Sequence, residues 1–263
     1  TVSYPGDIAL MLKLPQNQTF YPNQHVSIRQ ILAPDNTLWR ADPSSDILVI
    51  GDSFSNVYSQ DELGWGESAG LIEQLSFELQ RQIDRIVQND NGAYAARLLL
   101  SRELARGRNR LAGKKVVIYQ FAARELSEGD WKIVPLSLAV PQPSEFIVPE
   151  PGRALVISGV VKAVSVVPRP YTVPYKDHIL CLYLVDIENK AASIHKSSAV
   201  AYMWSMRNNI LTDTARCRPG DTIEIRLQAW ADVAENYEGI NRSELSDDKL
   251  LLQEPCWGEI VGR

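Results

Sequence analysis

Histidine is scarce in this chain: His25, His178 and His195 are the only three in 263 residues. A reaction that needs an imidazole base therefore has few places to find one. Cysteine is as sparse. Cys181, Cys217 and Cys256 form an odd set, which leaves at least one thiol unpaired and admits at most one bridge. Their wide spacing matches no zinc motif, so neither a metal nor any other cofactor is expected. An excess of basic charge is also missing. Lys and Arg number 27 against 32 Asp and Glu, for a net charge of -5 and a pI near 5.3. Nucleic-acid binding rests on a basic surface, so nucleic acid is not an expected partner. No apolar run approaches the roughly 20 residues that span a bilayer as a helix. There is no internal repeat and no low-complexity tract. The sequence opens at Thr1 without an initiator Met or a signal peptide. The expectation is a mature form or an excised fragment whose targeting signal has been removed.

What is present is the composition of a globular protein, 45% hydrophobic and 22% charged, long enough for one large domain or two ordinary ones. Between Asp46 and Arg124 the pattern is α/β. Ile47-Leu48-Val49-Ile50 is a short apolar run of the buried-strand kind. From Ser68 to Gln82 the spacing of Leu71, Leu75 and Leu79 predicts a helix. Arg85-Ile86-Val87 predicts a second strand, closed by the turn cluster Asn89-Asp90-Asn91-Gly92. Ala93 to Arg106 is rich in Ala, Leu and Arg and reads as a helix that Gly107 stops. Val116-Val117-Ile118-Tyr119 supplies a third strand. Strand–helix–strand–helix–strand is the pattern of a parallel sheet with right-handed crossovers.

Pro135, Pro141, Pro143, Pro149 and Pro151 then mark a linker over 136–152, because proline supplies no backbone donor and resists helix and central strand. Beyond it, 154–167, 179–187, 199–203 and 222–231 are β-branched or alternating runs separated by turn residues. Arg218-Pro219-Gly220-Asp221 is a turn with proline presetting φ and glycine taking a positive one. The expected organisation is an α/β domain over 1–135, the linker, and a β-rich domain over 153–263. The latter reads as a small barrel or sandwich, OB-like, with a carbohydrate-binding role in view. It carries Tyr202, Trp204, Trp230, Tyr237 and Trp257, residue types that stack on sugars but more often pack a core. Its charge is balanced, with 13 basic and 14 acidic residues from Gly152 onward.

The candidate chemistry lies at Ser53. A nucleophilic serine works best on a tight turn between a buried strand and a helix, where backbone amides can meet an oxyanion. Ile47–Ile50 followed by Gly51-Asp52-Ser53 has that form. Asp-Ser after a strand is otherwise an ordinary turn; the apolar strand before it and Phe-Ser-Asn after it favour the nucleophile. Gly51 lets the backbone turn closely, and Asn56 is a candidate oxyanion donor. Tyr58 and Arg124 are candidate substrate contacts, with Glu125 as a tether for the arginine. For Tyr58 plain packing is the alternative; for Arg124 and Glu125 it is a surface ion pair. Trp65, between two glycines, is a candidate sugar platform or a lid packed over the helix.

Gly51-Asp52-Ser53-Phe54-Ser55 resembles the first block of SGNH (GDSL-like) hydrolases. With Gly6-Asp7-Ile8-Ala9-Leu10-Met11-Leu12-Lys13-Leu14-Pro15 upstream and Gln120-Phe121-Ala122-Ala123-Arg124-Glu125-Leu126 downstream, residues 1–135 resemble the SGNH-like domain of the alginate O-acetyltransferase AlgX/AlgJ family. The resemblance implies an SGNH/flavodoxin-like α/β fold, incomplete here, in a periplasmic or other extracytoplasmic bacterial protein. It also implies acetyl transfer onto hydroxyls of an exported polysaccharide, with a membrane-bound O-acyltransferase as donor.

One part of the family pattern is missing. The family takes its acid and base from an Asp-x-His that precedes the serine block, and this chain has none. It also lacks the late Asp-x-x-His of ordinary SGNH esterases. Asp177-His178 falls in the β domain and reads as structural, while His25 and His195 read as loop or surface residues. Asn89-Asp90 lacks the glycine that precedes the Asn-Asp block of SGNH esterases and reads as a turn. The expectation is therefore that an upstream segment supplies the base and one more strand, and that this chain alone is inactive. The competing expectation is a non-catalytic carbohydrate-binding or assembly module.

Overall fold

The computed structural model describes residues 1–15, 17–89, 92–129, 131–140, 145–188 and 197–262. They divide into two compact units. One holds Thr1–Leu104, Arg108–Ser137 and Tyr171–Tyr175; the other holds Ala105–Gly107, Leu138–Pro170 and Lys176–Arg263.

The first unit begins with strand β1 (Val2–Tyr4), the short helix α1 (Asp7–Met11) and strand β2 (Gln24–Val26), with β1 and β2 paired antiparallel. At its centre is β3 (Ile47–Gly51), buried along its whole length. It is flanked on both sides by parallel partners, β4 (Asp84–Val87) and β5 (Val116–Tyr119). Between them run α2 (Ser53–Asn56), α3 (Leu71–Leu79) and α4 (Gly92–Ala105), and α5 (Glu125–Glu128) follows β5. Side chains alternate across β3 as a pleated strand requires. Leu48 and Ile50 pack with Ile86, Ala96, Leu100 and Leu104. Ile47 and Val49 pack on the other face with Trp39, Ile72 and Ile83. Trp39 is anchored there by Nε1 donating to Ser76 Oγ at 2.9 Å.

The second unit is a closed barrel. Its strands are β6 (Ala154–Val164), β7 (His178–Glu188), β8 (Ala199–Arg207), β10 (Thr222–Ala229) and β11 (Cys256–Gly262), with the two-residue β9 (Ile210–Leu211) as an appendage on β8. Neighbours run β6-β7-β8-β11-β10 and back to β6. All pairings are antiparallel except β8 with β11, whose parallel contact closes the ring. Closure leaves the five main strands without a free edge. The interior is lined by Ile157, Val161, Leu180, Leu182, Leu184, Ala201, Met203, Ile223, Ile225 and Leu227, with Cys217 and Cys256 among them. All three cysteines are buried. Ile147, on the stretch read as linker, is buried in this same interior. The turn before β10 has the expected chemistry: Asp221 N donates to Arg218 O at 3.0 Å, and Gly220 takes φ +98°.

These features overturn the expected fold class. The chain is mostly β, and its parallel sheet stops at three strands among the described residues. It is therefore not an SGNH/flavodoxin-like α/β fold. The physical reason lies in what an α/β pattern encodes. A local strand–helix–strand rhythm specifies parallel pairing, but it carries no count of strands and no guarantee that both faces are covered. β5 shows the shortfall. It ends the sheet, and Val116 and Val117, which point to opposite faces, are each 48% exposed.

Candidate functional site

The carboxyl ends of the three parallel strands bring together residues 51–56, 88–89 and 120–124. Gly51 closes β3, and its carbonyl accepts from Gln88 N at 3.2 Å. Asp52, only 3% exposed, caps α2: Oδ1 accepts from Phe54 N at 2.9 Å and from Gln120 Nε2 at 3.0 Å, while Oδ2 accepts from Ala122 N at 2.7 Å. Gln120 Oε1 in turn accepts from Ser55 Oγ at 2.6 Å and from Asp52 N at 3.3 Å. The turn is thus locked by one carboxylate and one amide.

Ser53 is the first residue of α2, partly exposed, and among the described residues its hydroxyl makes no hydrogen bond. Ser55, two residues on in the same short helix, is fully buried and engaged. The fold therefore separates a structural serine from an uncommitted one two residues away.

Asn56 is buried. Its Nδ2 donates to Asn89 Oδ1 at 2.8 Å, and Asn89 Nδ2 donates to Gln60 Oε1 at 2.8 Å. Asn56 Oδ1 and Gln88 Oε1 are buried without a protein partner among the described residues. Buried polar atoms usually have partners, so these two carbonyl oxygens mark a place suited to a donor such as water or a ligand hydroxyl. The donor end of Asn56, expected to face an oxyanion, is occupied by Asn89.

Arg124 is on the same edge, its guanidinium 5.7 Å from the Phe54 ring and its Nε 3.7 Å from Glu125 Oε1. Glu125 also accepts from Ala93 N at 3.2 Å. Tyr58 packs edge-on against Trp65, at 6.3 Å between ring centres, and Trp65 packs against Tyr4 at 5.1 Å. Trp65 thus sits in a small aromatic cluster. Tyr119 donates its hydroxyl to Ala93 O at 2.6 Å, and burial pushes its phenol above the usual value.

Neither described histidine is bonded to Ser53. His25 is exposed on β2, opposite Ser3 in register. His178 is buried in the barrel. His195 lies outside the described residues, as do Asp90 and Asn91 of the turn cluster and Pro141 and Pro143 of the linker. Among the described residues no group of three or more His, Cys, Asp and Glu side chains is placed to hold a metal, and no helix is long and apolar enough to cross a membrane.

Sequence reasoning gave Gln88 and Gln120 no role and read Asn89 only as part of a turn. Each immediately follows a parallel strand or comes two residues after one, at the edge where open α/β sheets bind ligands. A polar amide just past an apolar run was the available signal. No protein-family model, curated protein or solved structure matches the chain.

Proposed function

We propose that Ser53 is an acyl-accepting nucleophile that passes an acetyl group to a hydroxyl of an exported polysaccharide. The observation that carries this reading is the uncommitted hydroxyl of Ser53 at the carboxyl tip of a fully buried central strand, on a turn immobilised by Asp52 and Gln120. The resemblance of Gly51–Ser55 to a serine-hydrolase block supports it. In the acylation step Ser53 Oγ attacks the acetyl carbonyl, its proton passes to a base, and the donor's leaving oxygen departs with a proton. A sugar hydroxyl then attacks the acetyl ester, its proton passes to the same base, and Ser53 recovers its hydrogen. The reading takes that base from outside the described residues, and the acetyl group from a membrane-bound O-acyltransferase.

The test is intact-mass spectrometry after incubation with an activated acetyl ester, with and without added imidazole as a stand-in base. The expected result is a gain of one acetyl group on Ser53 that imidazole accelerates and that Ser53→Ala abolishes. Equal acetylation of wild type and Ser53→Ala would overturn the reading. So would no acetylation with imidazole present, which would leave the unit as a binding module.

A further inference from the structure

The barrel contains a second serine-centred arrangement, independent of Ser53. His178 opens β7 and is 1% exposed; Ser205, on β8, is fully buried; Ser243, in the segment between β10 and β11, is partly exposed. His178 Nδ1 lies 2.6 Å from Ser205 Oγ, and Nε2 lies 3.1 Å from Ser243 Oγ. Ser205 Oγ is also 3.1 Å from the backbone carbonyl of His178, where only the hydroxyl can donate.

For a neutral ring, one assignment of protons satisfies these three contacts. Ser205 has a single hydroxyl hydrogen, and the carbonyl takes it. Ser205 Oγ must then accept from Nδ1–H. A neutral imidazole with its hydrogen on Nδ1 has a bare lone pair on Nε2, so the Ser243 hydroxyl donates to Nε2. That is the polarity a nucleophilic serine has toward its base, with a third group holding the ring from behind. Burial pushes the His178 imidazole down to about 4, which keeps Nε2 unprotonated at neutral pH and also makes the ring a weaker base than a solvated histidine, so the geometry of the row carries the inference. The row runs from fully buried Ser205 to Ser243, its partly exposed end.

We infer that Ser243 is a second nucleophile, activated by His178 and reactive toward small carboxylic esters. In the step, Ser243 Oγ forms a bond to the acyl carbon, its proton moves to His178 Nε2, and the alcohol leaving group departs as the imidazolium returns that proton to it. Water hydrolyses the resulting ester by the same route. Ser205 is a positioning residue: its oxygen holds the hydrogen on Nδ1.

The experiment uses the full chain carrying Ser53→Ala, so that its outcome does not depend on the first site. The protein is treated with a fluorophosphonate probe, which phosphonylates activated serines with loss of fluoride, and labelled peptides are mapped by mass spectrometry. The expected result is labelling at Ser243 that falls at least tenfold in His178→Gln. Ring nitrogen NMR of the unlabelled protein provides a readout that does not depend on a variant folding. It should show His178 as the Nδ1–H tautomer, shifting to a tautomer mixture in Ser205→Ala. An Nε2–H tautomer in the parent protein would overturn the inference. So would absence of label on Ser243, or equal labelling with and without His178.

Discussion

A Cβ built on Gly51 would lie 2.3 Å from Ser55 Oγ and 3.1 Å from Gln120 Oε1. Glycine is needed there for room, since the backbone of β3 has to pass directly under the Ser55–Gln120 hydrogen bond. Gly51→Ala should force Ser55 out of that bond and destabilise the unit by about 1–3 kcal/mol, as overpacking of a tight site does. Urea unfolding followed by circular dichroism measures it. Asp52→Ala removes the acceptor of three hydrogen bonds and leaves the Phe54 and Ala122 amides without it. A loss of about 1–3 kcal/mol is expected, and acetylation at Ser53 should fall with it even where the protein remains folded. A variant that keeps full Ser53 reactivity would show that the turn does not need its cap.

At the scale of elements, β4 is tied to the chain that follows α4 by charge. Asp84, 1% exposed at the start of β4, pairs with Arg110 and with Lys114 Nζ at 2.9 Å. Lys114 also donates to the carbonyls of Pro43 and Ser45, which lead into β3. One lysine thereby ties the entry of the central strand to its neighbour. Removing a single member leaves buried charge uncompensated, so Asp84→Ala should cost roughly 3–5 kcal/mol, and adding Lys114→Met should recover part of that loss. Denaturant midpoints of the single and double variants decide it; a double variant less stable than Asp84→Ala would contradict it. The same scale explains the aromatic residues of the β part. Trp257 meets Trp204 at 5.6 Å and Tyr237 at 4.5 Å, and Tyr202 meets Trp230 at 5.0 Å. These rings pack edge-on or tilted against one another in one cluster.

For the molecule as a whole, acid sensitivity should be set in two windows. His178 is held near 4 by burial against an ordinary value of 6.5, and the hydroxyls of Ser205 and Ser243 lie within hydrogen-bond distance of its ring. Between those values the unfolded chain binds a proton that the folded barrel refuses. Stability is therefore complete above about pH 6.5 and is lost as pH falls toward 4, by up to about 3–4 kcal/mol at roughly 1.4 kcal/mol per pKa unit. The packed tryptophans make near-ultraviolet circular dichroism a reporter of the barrel, and His178→Gln should flatten its pH dependence in that range. The second window lies lower. Bonds from Arg81 and Lys115 hold Asp46 below the usual carboxylate range, and bonds from Ser44 do the same for Asp42. Their contribution is present above the unfolded carboxylate value and disappears as pH falls through the lowered one.

The local periodicities determined a good deal unaided. An unbroken apolar tetrad at Ile47–Ile50 admits little besides a buried strand, and Arg218-Pro219-Gly220-Asp221 encodes its own turn. The position of Ser53 just beyond β3 followed from the same reasoning, because strand and turn signals act over a few residues. Tertiary structure alone decided everything that depends on partners distant in the chain. Among the described residues it stopped the parallel sheet at three strands and closed five others through the parallel contact of β8 with β11. It also brought Gln120 to Asp52 across 68 residues, and Ser243 to His178 across 65. Strand count, ring closure and side-chain convergence are properties of register and packing between remote segments, and a single sequence carries no local signal for any of them.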